Sequence, residues 1–261
     1  MADSNEKSLG FSADTNDTLG VGDLISTSEA VHVMYGSPTE PVLNGETDIV
    51  NEYVYTEGNV TINNYTAWEN IDFHGTMQDW VVVGNDFVVN ANEGSLRITN
   101  AKDKLMEFRD SDNDIIMHAL VKEAGGTFDG TSYNELVVVN GANDQSDILI
   151  AGSGGSELWG GAGFVDDDLW GGAGVDIFTY KYGNGNDFVY GAENNDIINL
   201  DDISSGDIRG AEFKEYGVLL VFKDYGSLNI VGDPTTITTT DGTISLNHSN
   251  RTAVFTSNSN Q

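Results

Sequence analysis

The sequence predicts an all-β chain built in part from stacked repeats, a β-solenoid of about three 20-residue coils flanked by antiparallel hairpin segments. Three observations predict it. Short β-branched and aromatic runs are bounded by Gly, Asn and Asp, as strands are. Three prolines and the want of any long 3.6-residue periodicity leave no segment that reads as a helix. Asp and apolar residues recur in register every 20 residues.

In chain order, residues 1–40 are rich in Ser, Thr, Asp, Asn and Gly and read as an irregular acidic lead, with one short apolar patch at 31–35. Residues 41–136 read as an N-terminal β half. Its strands are DWVVVGNDFVVN (79–90), SLRIT (95–99), KLMEF (104–108), DIIMHALV (114–121) and the start of ELVVV (135–139). Residues 137–200 hold the repeats, 201–248 a C-terminal β cap with GVLLVF (217–222), and 249–261 a polar, flexible tail.

The repeats are seen by cutting from Asn140 into NGANDQSDILIAGSGGSELW, GGAGFVDDDLWGGAGVDIFT and YKYGNGNDFVYGAENNDIIN. Asp147, Asp167 and Asp187 share one column, and Leu149, Leu169 and Val189 follow two residues later. Ser156, Asp176 and Asp196 share a second, followed by Leu158, Phe178 and Ile198. Each block is therefore two half-turns of 11 and 9 residues, each ending in a strand with one inward apolar side chain. A weaker repeat, 132 residues apart, aligns VVNANEGSLRI (88–98) with LVFKDYGSLNI (220–230). Residues 44–63 have the texture of the 20-residue blocks with few of their glycines, which predicts a duplication whose first half kept the strands and lost the loop chemistry.

A formal charge of -31, from 42 Asp and Glu against 11 Lys and Arg, repels nucleic acid and anionic lipid. A fold that gathers so many carboxylates needs cations. With no cysteine there are no disulfides and no thiolate metal sites. No apolar run approaches the roughly 20 residues that span a bilayer. The first residues lack the basic and apolar regions of a signal peptide, so another export route is expected if the protein is secreted.

The stretch GGAGVDIFT (171–179) matches every position of the nonapeptide G-G-x-G-x-D-x-U-x, U being a large apolar residue. Over about 140–199 the chain resembles RTX (hemolysin-type) proteins, whose calcium-binding nonapeptides wind into a parallel β-roll. The resemblance implies Ca²⁺ as cofactor, held between half-turns one coil apart by glycine carbonyls and aspartates. It pairs Gly171, Gly172, Gly174 and Asp176 with Asp196, and Asp147 with Asp167 and Asp167 with Asp187, with Gly183 and Gly185 in the loop before Asp187. Ser156 stands where an aspartate is expected, so the gap between it and Asp176 is expected to bind weakly or not at all. GGAGFVDDDL carries two extra residues before Asp167, and GAENNDIIN keeps only Gly191 and Asp196. One to four ions are expected, the Asp176/Asp196 site first.

The bland alternative is a metal-free solenoid whose Asp and Asn residues cap turns. The run DSDND (110–114) lacks the Gly, the Glu and the flanking helices of an EF-hand and reads as a solvated turn. Ile150, Trp170 and Tyr190 should point out of the roll as a ladder, covered by the hairpin after residue 215; an exposed sugar- or surface-binding strip is the alternative. No H-E-x-x-H or G-x-S-x-G is present, and His32, His74, His118 and His248 are scattered. The expected function is thus a non-enzymatic, calcium-binding module of a secreted or surface-displayed bacterial protein, folding on Ca²⁺ and exported by a type I route. The alternative is a calcium-stabilised adhesin binding a glycan or protein through 41–136 or the ladder, and the chain is expected to be full-length or an excised fragment.

Overall fold

The computed structural model describes residues 31–258 other than 48, 68, 224, 225 and 235. It is a parallel β-solenoid of about 8 turns, so parallel coiling extends well beyond the expected three coils into the N-terminal half. Among the described residues there is no α-helix, only a 3-10 turn at Ser205–Asp207, and no helix is long and apolar enough to cross a membrane.

The chain alternates between a shared twelve-stranded sheet and one of two partner sheets. The shared sheet runs from the strand Val31–Gly36 to Thr252–Ser257. A five-stranded sheet, Val42–Asn44 to Met77–Val83, packs on it in the first half, and a seven-stranded sheet, Gly126–Asp129 to Ile208–Lys214, in the second. In the second half the 20-residue period is the coil pitch: Phe178 pairs in parallel with Leu158 before it and Ile198 after it. Both apolar columns, Leu149/Leu169/Val189 and Leu158/Phe178/Ile198, are buried in one core. Each such side chain contributes about 1.5–3 kcal/mol on leaving water.

The two partner sheets lie on opposite faces of the shared sheet. Side chains alternate across a strand, and in Leu136–Asn140 the residues Val137 and Val139 join the second core while Val138 joins the first. The cause lies a few residues earlier. The strands Val31–Gly36, Val50–Tyr55, Asn70–Phe73 and Met106–Arg109 run parallel, whereas Ile115–Val121 pairs antiparallel with Met106–Arg109. The turn between them is the DSDND run, where the Asp110 carboxylate accepts the Asp112 and Asp114 amides. Crossovers between parallel strands keep one hand. Once strand direction reverses, keeping that hand carries the crossover to the other face.

The two halves share a pairing pattern, as a duplication would leave. Gly94–Ile98 pairs in parallel with Gly58–Asn63 and antiparallel with Asp86–Ala91. Ser227–Gly232 pairs in parallel with Asn186–Ala192 and antiparallel with Gly217–Phe222. Each half thus inserts a hairpin before the strand that carries its Gly-Ser-Leu.

Three expectations are corrected. The part of the 1–40 lead that is described is not irregular throughout, since Val31–Gly36 pairs with Val50–Tyr55; residues 1–30 lie outside the described residues. The 249–261 tail carries the strand Thr252–Ser257, because its β-branched residues extend the edge at Gly242–Asn247 although no side chain of it is buried. The hairpin after residue 215 does not cover the ladder. It adds to the edge of the ladder's own sheet and turns Val218, Leu220 and Phe222 into the core. Trp170 therefore stands exposed, stacked on Tyr190 with ring centroids 4.3 Å apart.

Candidate metal centre

The carboxylates of interest stand where strands emerge from the turns. Asp176 is two residues before the inward Phe178, so it too points inward. The same parity places Asp147, Asp167, Asp187 and Asp196 inside, and all five are buried. The two extra residues of GGAGFVDDDL do not displace Asp167, because Phe164 and Val165 loop outward and are exposed.

Two ladders result. In one, the Asp147 amide donates to Asp167 Oδ1 at 2.8 Å and the Asp167 amide to Asp187 Oδ1 at 3.0 Å. Asp147 Oδ2 accepts the Ala142 amide at 2.7 Å. In the other, Asp196 Oδ1 accepts the Asp176 amide at 2.9 Å, and Asp196 Oδ2 the Glu193 amide at 2.6 Å. Asp176 Oδ2 accepts the Gly172 amide at 2.8 Å. Ser156 fills its rung with a hydroxyl that accepts the Gly152 amide at 3.0 Å. Asp147, Asp176 and Asp196 therefore close their own turns, and each amide bond between rungs spans one coil.

Two oxygens depart from this pattern. Asp147 Oδ1 faces the ammonium of the buried Lys122 at 2.8 Å, off hydrogen-bond geometry, so the contact is ionic. Asp176 Oδ1 is buried and has no hydrogen-bond partner of good geometry, although the Ser156 hydroxyl and amide one coil back are near enough to favour the carboxylate's ionised form.

The electrostatics follow from the burial. Desolvation pushes the Asp176 carboxyl up to about 6, the Gly172 amide opposing the shift and the Asp196 charge adding to it. Desolvation lifts Asp167 to about 7, with the Asp147 amide opposing and the charges of Asp147, Asp166 and Asp168 adding. Asp187 reaches about 8, through desolvation and then the Asp167 charge. Buried like charges one coil apart cannot all ionise without a counter-charge.

The glycines let the turns stack closely. Gly174 has φ +94°, and a Cβ there would come within 2.7 Å of the Gly155 amide nitrogen. At Gly172 a Cβ would lie 2.1 Å from the Gly152 carbonyl oxygen. Gly171 packs on the Gly191 turn, while the Gly174 carbonyl accepts the Asn195 side-chain amide at 3.0 Å. Gly183 and Gly185 bend the turn before Asp187, where the Gly185 carbonyl accepts the Tyr180 hydroxyl at 3.0 Å. The structure thus brings together Asp176 with Asp196, Asp147 with Asp167, and Asp167 with Asp187. Among the described residues no three acidic or imidazole side chains converge on one point. A cation at either ladder would have to draw on backbone carbonyls as well as carboxylates. That all-oxygen donor set suits a hard ion such as Ca²⁺, and in the Asp176/Asp196 ladder Asp176 Oδ1 has neither an ionic nor a well-formed hydrogen-bonded partner.

Lys122 escapes sequence reasoning, because a lone lysine 25 residues before Asp147 shares no repeat column with it. The equivalent chemistry of the first half is also hidden. There Glu69 is buried and accepts from the Asn51 and Thr66 amides, the Asn51 side chain and the Tyr53 hydroxyl. A neutral hydrogen-bond network surrounds that carboxylate in place of a ladder of acids.

No family model matches the chain, and no curated protein matches it in sequence. Among solved structures, the extracellular lipase LipA from Serratia marcescens is similar over 77% of this chain and 35% of its own, at 16% identity and a TM-score of 0.38. This chain therefore spans about a third of that lipase's length.

Proposed function

We propose that the chain is a non-enzymatic, calcium-stabilised β-solenoid module of a secreted or surface-displayed protein, in which the ion neutralises carboxylates that folding forces together. The observation that carries this reading is the buried Asp176 Oδ1, without a well-formed hydrogen bond, in a turn whose sequence is a complete nonapeptide. Asp176 and Asp196 would hold the ion with the Gly171, Gly172 and Gly174 backbone. Asp147, Asp167 and Asp187, with the Gly183 and Gly185 backbone, would hold the ions of the other ladder. The ion supplies charge compensation and no reaction step. No nucleic acid is a partner in this reading.

A second reading is favoured by a specific observation. The ladder carboxylates accept backbone amides, so they already serve as turn caps in a metal-free solenoid. Thermal melting in chelator and in millimolar calcium separates the two. A ligand that binds only the folded state stabilises it by about 2.7 kcal/mol per site at 100 times Kd, so calcium raises Tm under the first reading and leaves it unchanged under the second.

A further inference from the structure

The change of face leaves a step in the molecule. Beyond the strand Leu136–Asn140, the face of the shared sheet that carried the first core emerges from beneath the Met77–Val83 strand and becomes an outer surface. At that step lies a groove of about 490 Å³, within the range of small-molecule sites of about 300–1,000 Å³. The Met77–Val83 strand makes its wall and outward side chains of successive coils make its floor.

Wall and floor are built differently. On the wall, Trp80 is locked: its Nε1–H donates to Glu157 Oε2 at 2.7 Å, and its ring stacks on Phe87. On the floor, Trp159 and Asn140 are register partners on neighbouring strands, so their side chains stand side by side. Asn140 is 5% exposed; its Nδ2 donates to the Gly141 carbonyl, but its Oδ1 accepts nothing. Trp159 Nε1 donates to nothing. The Lys181 ammonium lies 4.4 Å from the centre of the Trp159 ring and is ion-paired to Asp201 at 2.9 Å.

An unpaired buried polar group is costly, by about 1–3 kcal/mol, and a native structure that keeps two of them adjacent calls for a reason. One is an acceptor and the other a donor, and both are neutral. A hydroxyl satisfies such a pair, since it donates through its hydrogen and accepts through its oxygen. The indoles add flat apolar surface with a polar edge. A pyranose ring presents an apolar C–H face and a rim of hydroxyls, which matches an indole beside amide and carboxylate groups. The acidic side chains of the groove disfavour an anionic ligand, and Lys181 is already neutralised by Asp201. We propose that this groove binds a neutral oligosaccharide, with Trp159 and Asn140 as the recognition pair, Trp80 as a fixed wall and Lys181, paired to Asp201, beside the Trp159 ring.

The proposal is independent of the calcium reading, and its test is run in millimolar calcium throughout. The full chain is titrated by calorimetry with neutral hexasaccharides of glucose, xylose, mannose and galactose, and with an oligolysine peptide. At least one hexasaccharide is expected to bind with a Kd of about 1 mM or below. Trp159→Ala and Asn140→Ala should each weaken it at least tenfold, whereas Trp170→Ala, in the exposed ladder on the other sheet, should leave it unchanged. Trp159→Phe keeps an aromatic ring without the donor and should bind more weakly than the parent, which decides the matter if Trp159→Ala does not fold. Binding by none of the sugars, binding of oligolysine alone, undiminished binding in Trp159→Phe, or loss in Trp170→Ala would overturn the proposal.

Discussion

The Asp176 amide donates to Oδ1 of Asp196 at 2.9 Å, one full coil away. That bond ties the two carboxylates into one ladder and leaves Asp176 Oδ1 as the oxygen still to be compensated.

Asp176→Asn separates charge from hydrogen bonding, because the Asn side-chain oxygen can still accept the Gly172 amide. In chelator the variant should melt at or above the parent temperature, since a desolvated charge has been removed. In calcium it should melt below the parent, having lost a ligand charge. Thermal melts in the two buffers check this change of sign.

Lys122→Met removes the cation beside Asp147 and leaves that buried carboxylate without its ionic partner. Breaking a buried pair from one side costs about 3–5 kcal/mol. Urea denaturation should show a loss of that order.

Stability without metal should fall as pH rises. Asp176, Asp167 and Asp187 have folded-state values of about 6, 7 and 8 against an ordinary 3.8, so between those limits the folded chain holds more protons than the unfolded one. The stabilising difference is complete below the ordinary value and is lost as pH climbs through the folded values. In chelator, Tm at about pH 5.5 should exceed Tm at about pH 8, and saturating calcium should narrow the gap because the ion takes the proton's place.

Ser156→Asp places a carboxylate on the rung below Asp176, where a hydroxyl now accepts the Gly152 amide. In chelator it should lower Tm by adding a third buried charge to Asp176 and Asp196. In calcium it should add one ion to the stoichiometry measured by calorimetry.

Much of this architecture is written in local patterns. The columns through Phe178 and Asp176 are legible because the same inward position recurs at every coil and admits only apolar or turn-closing residues. The hairpins are legible because Gly-bounded alternation is a local signal. The exchange of faces at Val138 is not, since the run from Leu136 to Asn140 buries residues on both faces and its pattern cannot say which core each side chain joins. Lys122 is hidden for a related reason: its meaning depends on Asp147, reached across a coil rather than along the chain. The strand Thr252–Ser257 buries nothing, so burial patterning has nothing to report there.

Calorimetric titration of calcium into the chelated 261-residue chain, parent and Asp176→Ala side by side, bears most directly on the ladder as a cation site. The parent should bind at least one ion per chain, Asp176→Ala should bind one fewer, and the calcium midpoint of its folding should rise. A parent that takes up no calcium, or an Asp176→Ala with an unchanged ion count, would contradict the assignment and leave the buried aspartates as turn caps alone.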